Sequence, residues 1–188
     1  MINGSNAAAM SESYQGVHSR CVSVTYGRAE PIREVRHVSD IPIDDYLAIC
    51  RTKARYCRCL DEKDWDGYAD TFIPDVILDT TGSGGGETRG RERLLQTVRA
   101  SIEDAITVHQ VHSPEMTPID ADTVNVVWAM QDRVIWSEAR AKTIGKRSLT
   151  GFGHYRERYV RCDDGRWRIA HSKLTRLHID FEPVAGPQ

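Results

Sequence analysis

From Tyr46 to Leu60 apolar residues recur every three or four positions, at Tyr46, Leu47, Cys50, Ala54, Cys57 and Leu60. That spacing predicts one amphipathic helix, opened at Asp40-Ile41-Pro42, where a proline suits the first helical position. The all-charged run Asp61-Glu62-Lys63-Asp64 predicts its end, because aspartates favour caps and turns over helix interiors. A second short helix is expected from Trp65 to Phe72, with Trp65, Tyr68, Ala69 and Phe72 on one face and Pro74 stopping it. Val76-Ile77-Leu78-Asp79 then begins a strand, and Thr81-Gly82-Ser83-Gly84-Gly85-Gly86 reads as a flexible hairpin or loop tip. Helical spacing returns between Gly90 and Glu103, with Leu94, Leu95, Val98 and Ile102 as the buried side.

Past Glu103 the period changes to two. Ile106 to His112 is apolar and β-branched, and Asp120-Ala121-Asp122-Thr123 reads as a turn. Val124, Val126, Trp128, Met130, Asp132, Val134 and Trp136 share one face of a long strand. Gly153 to Arg161 and Arg166 to Ile179 form a final hairpin around Cys162-Asp163-Asp164-Gly165. Helices first and long strands afterwards predict an α+β domain, in which a curved, mostly antiparallel sheet packs against N-terminal helices around an apolar pocket. The domain is expected over residues 41–181. Residues 1–40 read as a partly disordered extension, although Val22, Val24 and Tyr26 alternate as in a short strand that drapes over the domain or a neighbouring subunit. Residues 182–188 read as a loose C-terminal tail.

Composition narrows the function classes. A chain of 188 residues with net charge −2 and interspersed signs gives no electrostatic case for nucleic acid or an anionic membrane. The expected partner is a small hydrophobic molecule or a further subunit. Five cysteines, with Cys50, Cys57 and Cys59 clustered and Cys21 and Cys162 distant, do not suggest a disulfide framework. Neither an apolar spanning run nor a signal-peptide pattern at Met1-Ile2-Asn3-Gly4-Ser5-Asn6 is seen, so a soluble cytoplasmic protein is expected. The glycine cluster lacks the Gly-Lys-Ser/Thr of a phosphate loop.

Asp132 is the outstanding candidate for chemistry, because strand parity places it among Trp128, Met130, Val134 and Trp136, where an unpaired carboxylate is expensive. It either pairs with an arginine or backbone donor, turns outward at a bulge, or orients a histidine. His109 and His112 are the nearby histidines; three apart on a strand, they face opposite sides, which argues against a shared metal site. His171 and Arg176 have opposite parity on the last strand, so both reach the pocket only through a bulge. Tyr56 either tops the core with its hydroxyl wet or donates to a substrate oxygen. Tyr56 and Asp61 lie roughly 140° apart on an unbroken helix, so they share a site only if the helix stops near Asp61.

Together these residues resemble the SnoaL-like branch of the NTF2-like superfamily. Tyr56-Cys57-Arg58-Cys59-Leu60-Asp61 is similar to the Tyr-Phe-Arg-Cys-Leu-Asp run of bacterial bile acid 7α-dehydratases, and His109-Gln110-Val111-His112-Ser113-Pro114-Glu115 to their His-Met-Gly-His-Thr-Pro-Glu. Scytalone dehydratases are a more distant resemblance. It covers roughly residues 41–181. It implies cofactor-free, metal-free elimination of water from a carbonyl-activated, hydroxylated steroid-like, polycyclic or aromatic compound. His109 is then the base and Asp132 its orienting partner, with Tyr56 on the carbonyl and Asp61 and Arg176 assisting. Trp128, Met130 and His171 are the expected substrate contacts. The resemblance also implies a homo-oligomer, a trimer or else a dimer. A ketosteroid-type isomerase, a dioxygenase β-subunit-like protein and a plain binding protein are the alternatives on the same fold.

Overall fold

A computed structural model describes residues 41–184. The expected extension over residues 1–40, the helix start at Asp40 and residues 185–188 lie outside the described residues. Helix α1 spans Ile43–Glu62, with Asp44 and Asp45 in its first turn, where carboxylates complement the helix dipole. Lys63 ends it in the left-handed region at φ 62°, its N–H turning back to the carbonyls of Cys59 and Leu60. The buried seam is Ile49, Thr52, Lys53, Tyr56, Cys57, Cys59 and Leu60. Leu47 and Ala54, expected inside, are exposed. The seam is rotated from the apolar stripe because Thr52 and Lys53 are buried polar residues with partners: Thr52 Oγ1 donates to the Trp167 carbonyl at 2.9 Å, and Lys53 meets Glu157.

Helix α2, Trp65–Ala69, is shorter than expected. Asp64 caps it by accepting from the Gly67 N–H at 2.9 Å, and Phe72 belongs to strand β1 (Phe72–Asp79) instead. Pro74 sits inside β1, where the pairing register shifts between Phe72 and Ile77, as a proline in a strand requires. A short 3-10 turn at Thr81–Ser83 leads to β2 (Glu87–Arg89) and α3 (Arg91–Ile102). The sheet continues with β3 (Ile106–Asp120) and β4 (Thr123–Ile135). Helix α4 (Glu138–Ile144), absent from the sequence reading, is capped by Ser137 and closed by Gly145 at φ 69°. Strands β5 (Lys146–Arg161) and β6 (Trp167–Pro183) complete the fold, and β6 runs past the expected domain end at residue 181.

These elements make the expected α+β architecture, a curved six-stranded sheet in the order β2-β1-β6-β5-β4-β3 with helices packed on it. Among the described residues, only β1 and β6 pair in parallel. On β4 Val124, Val126, Trp128, Met130, Asp132 and Val134 all face inward, as the alternation predicts. Among the described residues no helix is long and apolar enough to cross a membrane.

Candidate functional site

A cavity of about 320 Å³ opens between α1, α3 and the inner face of the sheet. Leu60, Leu78, Val98, Ile102, Leu149 and Leu174 give it apolar walls, while Tyr56, His109, Asp132 and Arg176 all reach it. Four of the five polar residues singled out from the sequence therefore converge. Asp61 is the fifth, and it acts from behind the wall.

The helix does not stop short of Asp61, so the expected angular separation from Tyr56 stands. Asp61 instead faces β3 and accepts three hydrogen bonds there: from the His109 backbone N–H at 2.8 Å, from His109 Nδ1 at 2.7 Å and from Thr107 Oγ1 at 2.9 Å. Lys63 Nζ donates to Thr107 Oγ1 at 2.8 Å and anchors the far end of this chain. An ionised carboxylate can only accept, so in the neutral imidazole the proton is assigned to Nδ1 and Nε2 keeps its lone pair. The His109 side chain is 8% exposed and Asp61 22%.

The expected His109–Asp132 pairing is corrected by this geometry. His109 and Asp132 are register partners across β3 and β4, so they lie side by side on the inner face. Asp132 nevertheless turns to Arg176, which binds it bidentately at 2.7 and 2.6 Å. Arg176 Nε donates to Ser83 Oγ at 3.0 Å, tying the glycine-rich loop to the cavity wall. The fork fits because Gly151, the register partner of Asp132 on β5, has no side chain; a Cβ there would run into both Arg176 Nη1 and Asp132 Oδ1.

The three expected substrate contacts do not line this cavity. Trp128 and Met130 face inward but stay buried in the core beside the cavity without lining it, as does Tyr159. Met130 Sδ instead takes a weak contact from Arg176 Nη1 at 3.6 Å. His171 faces the other side of the sheet, in a depression shared with Arg156, Arg158 and Lys173. The bulge that parity required is present, between the pairs Tyr159–Ile169 and Arg158–His171, but it precedes His171 and so brings Arg176 inward without it.

Three cavity tyrosines meet at the inner end. Tyr56 packs against Tyr68 at 5.0 Å and Tyr155 at 5.9 Å between ring centroids. Burial, then the neighbouring Tyr155, Tyr68 and Glu157, push the Tyr56 hydroxyl well above its ordinary value, so it keeps its proton and can serve as a hydrogen-bond donor. Burial likewise pushes the Cys57 thiol up to about 11, which leaves it inert at neutral pH. Among the described residues no three His, Cys, Asp or Glu side chains group as metal ligands.

Sequence reasoning missed Thr107, Lys63, Gly151, Tyr68, Tyr155 and the buried Lys53–Glu157 pair. A signal for the last existed: Glu157 stands in the alternating row Gly153, Tyr155, Glu157, Tyr159, so the parity test that singled out Asp132 applies to it equally.

Comparison with known proteins follows the same outline. A probable cyclase, FGR4, of Gibberella zeae is 26% identical over 142 residues, which cover 69% of this chain and 89% of that one. A candidate scytalone dehydratase of Novosphingobium aromaticivorans superposes with a TM-score of 0.63 at 16% identity, covering 78% of this chain and 97% of that one. The hexachlorocyclohexane dehydrochlorinase LinA-type3 of Novosphingobium barchaimii superposes with a TM-score of 0.62 at 19% identity, covering 77% and 93%. At these identities the two structures establish a common fold. The SnoaL-like domain family matches residues 42–173, from the start of α1 to the middle of β6, which takes in the cavity residues up to Tyr155 and stops short of Leu174 and Arg176: the chain belongs to that family.

Proposed function

We propose that the protein is a cofactor-independent dehydratase acting on a hydroxylated, carbonyl-activated small molecule. The observation that supports this reading is the 2.7 Å hydrogen bond from His109 Nδ1 to Asp61, which aims a free Nε2 into a cavity shared with Tyr56. His109 Nε2 takes the proton next to the substrate carbonyl, and the electron pair moves onto the carbonyl oxygen. Tyr56 donates a hydrogen bond to that oxygen as its negative charge grows. Asp61 stabilises the imidazolium formed. The electron pair then returns to form the carbon–carbon double bond and expels the hydroxyl, which leaves as water on taking the proton from His109. The Asp132–Arg176 pair forms a polar wall beside the base that orients the leaving group.

A cyclase or an isomerase would use the same proton transfer without the departing water, so product mass separates these chemistries. Incubating the protein with a panel of hydroxylated cyclic ketones is expected to yield a product lighter by one water. His109→Gln is then expected to lower turnover by about 10²–10⁴-fold, the usual worth of one placed acid–base group. Turnover unchanged in His109→Gln would sink the mechanism, and isomerised product of unchanged mass would replace dehydration with isomerisation.

A further inference from the structure

Lys53 lies in the middle of α1 with no exposed side-chain surface, and neither has its partner Glu157 on β5. Its Nζ donates to Glu157 Oε1 at 2.7 Å. Glu157 also accepts from Tyr159 Oη at 2.7 Å and from Ser172 Oγ at 2.9 Å. A buried ion pair is a poor source of stability, since apolar residues of similar volume generally serve as well. Its other surroundings suggest a different use. The Lys53 ammonium stands 3.8 Å from the ring centroid of Tyr56 and 3.7 Å from that of Tyr155, so two cavity tyrosines share one cation between their faces.

We infer that Lys53, held by Glu157, is a positioning residue that strengthens Tyr56 and Tyr155 as hydrogen-bond donors to an oxyanion in the cavity. This rests on the proposed role of Tyr56. When a phenol donates to an anionic oxygen, electron density moves from the hydroxyl into the ring. A cation on the ring face is attracted to that density and favours the shift. Burial and the Glu157 charge act against it, and the ammonium offsets them at the ring instead of at the hydroxyl. Lys53 never touches the substrate. It fixes both rings and raises the gain from donation only where charge develops, which is the interaction that accelerates a reaction.

The test compares binding of 4-nitrophenolate with binding of neutral benzyl alcohol at one pH, in the wild type, Tyr56→Phe and the double variant Lys53→Met/Glu157→Gln. The double variant removes both charges together, so no buried charge is left unpaired. It is expected to bind the phenolate about tenfold more weakly while its affinity for the alcohol changes by less than about threefold. Tyr56→Phe is expected to show the same selective loss. If Tyr56→Phe loses phenolate affinity and the double variant does not, the inference about Lys53 is overturned and the role of Tyr56 stands. If Tyr56→Phe binds the phenolate like the wild type, both fall. Should the double variant fail to fold, wild-type protein carrying ¹³Cζ-tyrosine decides. Tyr56 and Tyr155 resonances that move on phenolate binding, and move less in Lys53→Gln/Glu157→Gln, a second pair that leaves no buried charge unpaired, support the inference; equal movement in both proteins overturns it.

Discussion

Asp61 and Asp132 flank the same imidazole from different directions, Asp61 from the last turn of α1 and Asp132 from the neighbouring strand, where it is His109's register partner. Strand register alone favours Asp132. Hydrogen-bond geometry favours Asp61, because a strand neighbour lies beside a side chain whereas the helix end lies over it. The second factor decides which carboxylate touches the ring. Asp132 is left with the cation that faces it, Arg176, and the two form a nearly dry pair 5% and 10% exposed. One carboxylate thus sets a proton's position, while the other neutralises a charge that forms part of the wall.

The largest effect expected from breaking this division is on stability. Asp132→Leu leaves Arg176 buried without its partner and is expected to cost about 3–5 kcal/mol in urea unfolding. Adding Arg176→Met should recover most of that loss, because the apolar pair no longer holds a lone charge. A single variant as stable as the wild type would mean that Arg176 finds water, and the wall would then be no closed ion pair.

Asp61→Asn should show the opposite profile. Its amide oxygen can still accept from the His109 backbone, so thermal unfolding is expected to register a loss of only about 1 kcal/mol. Its NH2 group, however, donates to Nδ1 and drives the proton to Nε2, removing the base. Turnover should fall by about 10²-fold or more. Equal losses of turnover in Asp61→Asn and in the doubly apolar wall variant would erase the distinction between the two carboxylates.

The finest test is Gly151→Ala. One methyl group placed against the Asp132–Arg176 fork is expected to cost about 1–3 kcal/mol by overpacking, read as a lowered denaturant midpoint. The Asp61–His109 bond lies on the other side of β4, so the tautomer of His109 in a ¹⁵N NMR spectrum should be unchanged. A changed tautomer would show that the two carboxylates are coupled after all.

Much of this was legible along the chain. The period of two through Val124, Val126, Trp128, Met130 and Asp132 marked the inner face of β4, and the charged run after Leu60 marked the end of α1, because both patterns report local geometry. The same rules misled where a polar residue is buried with a partner. Hydrophobic spacing placed Leu47 and Ala54 inside α1, but the seam runs through Lys53, whose burial depends on a glutamate 104 positions away. His171 and Arg176 could not be sorted by parity, since one bulge resets the alternation and a bulge is set by the neighbouring strands as well as its own.

Beyond the polar set of Tyr56, Asp61, His109, Asp132 and Arg176, which the family resemblance supplied, the sequence by itself determined the layers of this protein: helices ahead of a long-stranded sheet, which face of β4 is dry, and that Asp132 is a carboxylate set into that face. Those features follow from periodicity and from the cost of burying unpaired polar groups, both of which are written into neighbouring residues. Only the tertiary structure decided the pairing within that set. Hydrogen bonds select among partners by distances of a few tenths of an ångström and by direction. Those are fixed by how α1 crosses β3, how β5 presents a glycine to β4, and how the bulge in β6 turns Arg176 inward.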